Sequence, residues 1–260
     1  MPRGLLGRLP HDPAAVARAP QLGRHLMATA RPPPVLDRHA VAYEPKMYAN
    51  DYLPCCSATG LANHVRAVGA LGQATPPITY ATIPAFYAAS IGVPNDANLA
   101  ATPGAVLLDV LNYQRRHGFD VGEQVALVAD VAAGDPGNRD QLANTMYQLG
   151  AGYWGVELSV SDQNMSVWDT ENVPTSAGDP TPGSWGGHCL VAWDYDGLID
   201  TDIVRLATWG GWQLATWRWV QARLVEAYAL RWPQLRSPTG FAWNGMDLAK
   251  LTDDNYAWIE

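Results

Sequence analysis

This chain has few cysteines and no long apolar run, and both shortages narrow what it can be. Three cysteines in 260 residues do not make the disulfide framework of a secreted domain, so we expect a reducing compartment. No stretch approaches the ~18 consecutive apolar residues of a membrane-spanning helix. The first eight residues are charged but lack the apolar core of a secretion signal. We therefore expect a cytoplasmic protein that has no membrane partner.

Charged residues are also scarce, at 16% of the chain against 48% hydrophobic residues, and the net charge of −8 is unevenly spread. Residues 1–40 carry six Arg and two Asp, a net +4, so the remainder carries −12. An acidic body argues against nucleic acid as a partner. The proline-rich, basic arm over residues 1–40 is either solvated or held by an acidic surface, on the body of the protein or on a neighbouring chain.

The first half of the body has the apolar spacing of helices. Residues 56–71 repeat small and apolar side chains at a period near 3.6, and Gly72 is a natural stop. Similar patterns predict further helices over 82–91, 103–117 and 138–149. We assign residues 41–150 to a helical lobe.

The second half, residues 151–260, has the alternation of strands. Strands are predicted over 153–160, 189–193 and 203–209, with a Pro- and Gly-rich loop over 161–187. All eleven Trp lie between Trp154 and Trp258, as suits sheet surfaces that are packed on both sides. A helical half followed by a β-rich half predicts the α+β class.

One pair of residues has the chemistry of a thiol nucleophile and its base. Cys56 opens a predicted helix, where the positive end of the helix dipole stabilises a thiolate. His188 follows two glycines, and an imidazole beside the thiol can take its proton. The two residues are 132 positions apart, within the ~130–150 window typical of papain-like enzymes.

The flanking motifs, in this order, resemble the papain-like cysteine peptidases, especially their bacterial and phage relatives. Asn50 lies six positions before Cys56, where the family has its oxyanion-binding Gln. The run from Gly186 to Asp196 resembles the family's Gly-His strand, and the run from Ile203 to Trp212 resembles its apolar-Lys-Asn-Ser-Trp-Gly segment. The likeness covers about residues 35–235.

The resemblance implies a fold and a set of roles. A helical N-terminal lobe, with the nucleophile helix at its centre, would pack on an antiparallel, β-barrel-like C-terminal lobe. Cys56 would be the nucleophile, His188 the general base and acid, and Asn50 an oxyanion donor. Trp209 and Trp212 would shield the site from water. Such an enzyme needs no cofactor and no metal.

Two positions depart from the family pattern. The Asn that orients the imidazole in the family falls on Ala207, whose side chain cannot accept the second histidine N–H. Asn50 is one methylene shorter than Gln. The nearby carboxylates of Asp194, Asp200 and Asp202 are candidates to replace the missing partner.

The residues therefore leave several functions open. The first is a thiol hydrolase that acts on peptide or isopeptide bonds of a protein substrate. The second is an inactive papain-like domain with an assembly role, for example in a phage virion, docked on neighbouring subunits by its arm. The expected location is therefore cytoplasmic or virion-associated. Transglutaminase-like or amidase chemistry is a third. Cys55 and Cys189 are expected to be inert buried thiols, while His188 as a core histidine and a zinc site of Cys55, Cys56, Cys189 and His188 are weaker alternatives.

Overall fold

The computed structural model describes residues 4–25, 31–72, 75–94, 96–121, 126–235 and 248–259. Within these ranges seven α-helices are present: α1 (Pro13–Arg18), α2 (Cys56–Leu71), α3 (Thr82–Ser90), α4 (Leu107–His117), α5 (Arg139–Leu149), α6 (Trp217–Arg223) and α7 (Leu248–Ile259). The same ranges hold nine strands: β1 (Phe119–Asp120), β2 (Ala126–Leu127), β3 (Asp130–Gly134), β4 (Gly152–Leu158), β5 (Val167–Trp168), β6 (Gly186–Tyr195), β7 (Ile203–Thr208), β8 (Gly211–Thr216) and β9 (Leu224–Arg231). No described helix has the length and apolar character needed to cross a bilayer.

The four predicted helices of the first lobe are present, and the largest difference lies at the start of α4. Helix α2 has the predicted bounds, and α5 begins after Asn138, whose side chain accepts a hydrogen bond from the Gln141 N–H. Helix α4 begins at Leu107 and not at residue 103, because Ala105 pairs as an extended residue with Arg8 of the arm.

Seven of the strands form one sheet in the order β3-β9-β4-β6-β7-β8-β5. All neighbours are antiparallel except β5 and β8. The α+β class is confirmed, but the expected barrel-like lobe is wrong, because β3 and β5 are the edges of a sheet that does not close within the described residues. Strand β5 and two short 3-10 helices also interrupt the predicted loop over 161–187.

Helix α2 packs directly on the centre of the sheet. The Tyr153 hydroxyl of β4 donates to the Ser57 carbonyl at 3.0 Å, which fixes the first turn of the helix. Gly60 lets the helix approach β6, since a Cβ there would lie 2.7 Å from the Cys189 Sγ. The start of α2 therefore meets β6 beside Cys189.

The described part of the arm packs on its own chain. The Arg38 guanidinium is buried and donates to the carbonyls of Met146 at 2.7 Å and Trp193 at 3.0 Å. It also donates to the Gly150 carbonyl, so one side chain binds two carbonyls at the C-terminal end of α5. The proposed boundaries at residues 40 and 150 remain predictions.

Candidate active site

Cys56 is the first residue of α2 and its side chain is buried. Burial raises the pKa of the thiol to about 12, and this rise is only partly offset by a hydrogen bond from the Cys189 backbone and by the charge of Arg8. The helix N-terminus alone would lower that pKa. In this arrangement Cys56 is a neutral thiol.

His188 lies on β6, one residue before Cys189. Its Nε2 is 2.6 Å from the Thr208 Oγ1, and its ring stacks on Trp209 at 4.3 Å between centroids. The Nδ1 atom is buried and has no hydrogen-bond partner among the described residues. Burial lowers the pKa of this imidazole to about 3. A neutral ring whose Nε2 donates to Thr208 leaves the lone pair on Nδ1, the atom that a proton acceptor needs.

The two residues are therefore neighbours in the fold but do not form an ion pair here. Cys56 adjoins the backbone of Cys189, directly after His188. No hydrogen bond joins the Cys56 thiol to the His188 ring in the part of the chain that the structure describes. Both groups are buried and neutral because solvent is excluded from both.

Trp209 is held in a two-residue turn between β7 and β8. Thr208 pairs with Gly211 across this turn, and both central residues have positive φ, 44° at Trp209 and 72° at Gly210. A two-residue hairpin loop of this kind requires such values. The turn thus fixes the indole against the His188 ring.

The Asn50 side chain reaches into the same region. Its Nδ2 donates to the Leu5 carbonyl at 2.9 Å and to the Leu53 carbonyl at 3.0 Å. Although Asn50 is shorter than the Gln of the family, its side-chain amide still donates a hydrogen bond to a peptide carbonyl. That carbonyl belongs to the chain's own N-terminal arm.

Residues 4–9, which we call the cleft segment, lie between the helical lobe and the sheet. The segment makes six hydrogen bonds with the body, five of them between backbone groups: Leu5 N to Asn50 O 2.7 Å, Asn50 Nδ2 to Leu5 O 2.9 Å, Gly7 N to Gly187 O 3.3 Å, Arg8 N to Gly187 O 3.1 Å, Ala105 N to Gly7 O 2.7 Å and Leu9 N to Ala105 O 2.9 Å. Backbone groups on both sides of the cleft are thereby satisfied by this segment.

The segment fits without spare room. A Cβ added at Gly7 would lie 2.0 Å from the Pro54 carbonyl oxygen, and one at Gly4 would lie 2.2 Å from the Asn50 carbonyl oxygen. On the opposite wall, a Cβ at Gly187 would lie 2.4 Å from the Arg8 carbonyl oxygen. Glycine is needed at these three positions because backbone approaches backbone.

Arg8 anchors the segment by a buried ion pair. Its Nε lies 2.9 Å from the Glu226 Oε1, and the two side chains are 2% and 0% exposed. The Tyr228 hydroxyl donates to the other carboxylate oxygen at 2.8 Å. Burial raises the pKa of Glu226, while Arg8 and Tyr228 act in the opposite direction.

The residue at the second histidine nitrogen is Thr208 and not Ala207, the position that the family resemblance implies. Ala207 packs with Val191 and Trp193 on the other face of β7, and it is Thr208 that meets His188. The three candidate carboxylates do not contact the ring: Asp194 pairs with Arg205, Asp200 pairs with Arg139, and Asp202 accepts from the Ile199 N–H.

The remaining candidates divide between site and core. Trp212 lies against Tyr43 and Trp193, so the structure brings Trp209 but not Trp212 to the histidine.

Cys55 is buried, with its Sγ 3.6 Å from the Thr59 Oγ1. Burial raises the pKa of Cys55 to about 11 and that of Cys189 well above its usual range. The described residues contain no group of three or more His, Cys, Asp or Glu placed to hold a metal ion.

The fold is similar to solved structures of cysteine proteases. Xylellain, a cysteine protease from Xylella fastidiosa, matches with a TM-score of 0.61 and 14% identity over 88% of this chain and 96% of that chain. ProCathepsin B S9 from Trypanosoma congolense matches with a TM-score of 0.57 and 12% identity over 88% and 86%. Procathepsin L 3 of the Tenebrio molitor larval midgut matches with a TM-score of 0.51 and 12% identity over 88% and 75%.

These structures establish that the chain has a papain-like fold. No protein-family model matches the sequence, and no curated protein is significantly similar to it. At such low identity the similarity concerns the fold alone.

Proposed function

We propose that this chain is a thiol hydrolase of peptide or isopeptide bonds whose cleft is closed by its own N-terminal segment. The observation that carries the proposal is the buried Nδ1 of His188, which has no hydrogen-bond partner among the residues that the structure describes and lies one residue from the backbone that contacts Cys56. A core histidine normally has both ring nitrogens satisfied. His64 illustrates this, since its two nitrogens contact the Ala151 carbonyl and the Trp232 indole N–H.

The chemistry follows from these atoms. With the cleft open, Nδ1 of His188 takes the Cys56 proton, and the thiolate attacks a substrate carbonyl carbon. The side-chain amide of Asn50 and the Cys56 backbone N–H hold the resulting oxyanion. The imidazolium then gives its proton to the leaving amine, which leaves a thioester that water hydrolyses with His188 as the base. Thr208 keeps the ring oriented by its contact with Nε2.

The cleft segment keeps this site in a latent state. The Leu5 carbonyl already accepts from Asn50, so the donor proposed for the oxyanion is engaged. The burial that raises the pKa of Cys56 and lowers the pKa of His188 disfavours the thiolate–imidazolium pair. Displacement of residues 4–9 would let water reach both groups and would remove this bias.

A single substitution tests the proposal. Gly7→Ala puts a methyl group against the Pro54 carbonyl. Overpacking of this kind costs about 1–3 kcal/mol, and each 1.4 kcal/mol shifts the open population about tenfold. We expect hydrolysis of a fluorescent casein substrate to rise about 5- to 140-fold over wild type. Gly134→Ala is the matched control, because its nearest neighbour would be an ordinary contact at 3.7 Å.

The second candidate function, a non-catalytic assembly domain, is favoured by the occupied cleft and the neutral Cys56. It predicts no hydrolysis by the Gly7→Ala chain. The thiol hydrolase predicts activity that Cys56→Ala and His188→Ala each abolish in the Gly7→Ala background. Cys55→Ala should leave that activity in place, because the Cys55 thiol contacts Thr59.

A further inference from the structure

All three cysteines of the chain lie in one core cluster as free thiols, and two of them share a contact that the proposed reaction does not use. The Cys56 thiol accepts a hydrogen bond from the backbone N–H of Cys189. That nitrogen is separated by two covalent bonds from the Cβ that carries the Cys189 sulfur. The side chain of Cys189 therefore starts beside the Cys56 sulfur.

The packing of α2 on β6 also places the Cys189 sulfur next to the start of the helix. Residues 56 and 60 are one helical turn apart, so they share a face of α2. A Cβ at Gly60 would lie 2.7 Å from the Cys189 Sγ and 3.8 Å from the Cys189 Cβ. Because residue 60 has no side chain, the Cys189 sulfur fits against the helix face that carries Cys56.

Cys55 is not placed for the same chemistry. Its Sγ lies 3.6 Å from the Thr59 Oγ1, so it faces a different side of α2 from Gly60. The Cα atoms of neighbouring residues are about 3.8 Å apart, closer than the ~4.4 Å at which ordinary disulfides begin. Cys189 is therefore the cysteine that can bond to Cys56 without this strain.

We propose that Cys189 is a resolving thiol, which joins Cys56 in a disulfide when hydrogen peroxide oxidises the opened site. The inference rests on the proposed function, since the Cys56 thiolate is the group that attacks the peroxide. The attack breaks the O–O bond and leaves a sulfenic acid on Cys56, while the released hydroxide takes the proton held by His188. The Cys189 sulfur then forms the S–S bond, the S–O bond breaks, and the leaving hydroxide takes the Cys189 proton. Two thiols lose two electrons in total, and the peroxide is reduced to two molecules of water.

Such a disulfide would control the site differently from the cleft segment. It removes the nucleophile reversibly, and it stops Cys56 before the sulfinic acid, which thiol reagents do not reduce. In the closed chain the pKa of Cys56 is raised to about 12 by burial, so the neutral thiol should react slowly with peroxide. The opened chain is the form that is both active and sensitive to oxidation.

Peptide mapping of the Gly7→Ala chain by mass spectrometry tests the pair. After treatment with hydrogen peroxide we expect the peptide that contains Cys56 to be linked to the peptide that contains Cys189. Casein hydrolysis should be lost and should return with dithiothreitol. Wild type should form the link about 5- to 140-fold more slowly, in proportion to its smaller open population.

Two further variants identify the partners. Gly7→Ala/Cys55→Ala is the matched control and should form the same link. In Gly7→Ala/Cys189→Ala, Cys56 should pass to the sulfinic acid, and dithiothreitol should no longer restore hydrolysis. Sulfinic acid on Cys56 while Cys189 is present and reduced, or a link that needs Cys55, would overturn the inference.

A second measurement does not depend on the Gly7→Ala chain. Wild type is equilibrated with an excess of oxidised glutathione, where opening of the cleft affects the rate but not the final state. We expect the Cys56–Cys189 link, whereas Cys56 that stays free or joined to glutathione contradicts the resolving role. If Gly7→Ala hydrolyses casein but neither chain forms the link, the inference fails and the proposed function stands. A link at equilibrium without hydrolysis by Gly7→Ala supports the disulfide and contradicts the proposed function.

Discussion

The Nε2 atom of His188 contacts the Thr208 hydroxyl, whereas its Nδ1 atom has no hydrogen-bond partner within the described ranges. The Thr208 hydroxyl lies 2.6 Å from Nε2 in a fully buried setting. The stacked indole of Trp209 restricts rotation of the ring about the same position. A hydroxyl and an aromatic face therefore hold this ring in one orientation.

Replacing Thr208 with Val should expose this role. The buried Nε2 would lose its partner, and an unsatisfied buried polar group costs about 1–3 kcal/mol. We expect the free energy of unfolding, measured in urea, to fall by that amount. Thr208→Ser keeps the hydroxyl and should lose clearly less. Thr208→Val keeps the methyl group and removes the hydroxyl, so a loss in Thr208→Val no larger than that in Thr208→Ser would contradict the role of the hydrogen bond.

At this scale the sequence predicted residue types better than their partners. Cys56, His188 and Asn50 are predicted from their order along the chain, and their catalytic roles stay predictions. In the structure Cys56 lies beside the backbone of Cys189, the residue after His188, and Asn50 donates to the Leu53 carbonyl. Thr208 was missed because Ala207 occupies the position expected for the orienting residue. In a strand a shift of one residue changes the face, and sequence spacing alone does not determine the face.

Among the elements, the turn between β7 and β8 links the sheet to the site. It carries Trp209 to His188, and its Gly210 approaches the segment before α2, since a Cβ there would lie 2.8 Å from the Met47 N. Gly210 has a φ of 72°, the same value as Gly92 after α3. A Cβ at Gly92 would have no neighbour within 4 Å.

These two glycines allow a paired prediction. Gly92→Ala should cost only the left-handed backbone, about 1–2 kcal/mol. Gly210→Ala should cost this amount plus about 1–3 kcal/mol for the contact with Met47. Urea unfolding of both variants measures the difference directly. Equal losses would show that the turn does not pack tightly on the segment before α2.

Elements with a long, regular pattern were predictable, and those determined by tertiary pairing were not. Helix α2 is sixteen residues long with a regular apolar period, and its bounds were predicted. Strand β5 has two residues, too few for any period to appear. The start of α4 was misplaced because residues before Leu107 pair with the cleft segment, about a hundred positions earlier in the chain.

For the whole molecule, two buried neutral histidines make the fold sensitive to acid. Burial lowers the pKa of His64 to about 4 and that of His188 to about 3, below the ordinary 6.5. The unfolded chain therefore binds more protons than the folded chain below pH ~6.5, so stability is present above that pH and is lost as pH falls. By pH ~5 each histidine should remove about 2 kcal/mol.

His64→Gln isolates one of these contributions. Gln can still donate to the Ala151 carbonyl and accept from the Trp232 indole, but it does not titrate. Between pH 7.5 and 5, wild type should lose about 2 kcal/mol more unfolding free energy than this variant. The raised pKa of Glu226 affects both chains equally, so it cancels in the difference. Parallel pH curves would contradict a neutral, buried His64.

The closed cleft was the largest feature that the sequence did not predict. The sequence shows a basic, proline-rich arm, for which the body of the protein is one possible docking surface. The two glycines before Arg8 were the available signal, but glycine spacing does not specify which backbone lies opposite. The fit depends on Pro54, Ala105 and Gly187, which come together only in the folded chain.

The rate of alkylation of Cys56 by iodoacetamide, followed by mass spectrometry across pH, tests the central claim most directly. The buried thiol of wild type should react slowly, whereas Gly7→Ala should label rapidly below pH ~7, and His188→Ala should abolish that rapid labelling. Cys55 and Cys189 serve as internal buried controls. If Cys56 of Gly7→Ala labels only near the free thiol pKa of roughly 8.5, with no dependence on His188, the thiolate–imidazolium centre is contradicted.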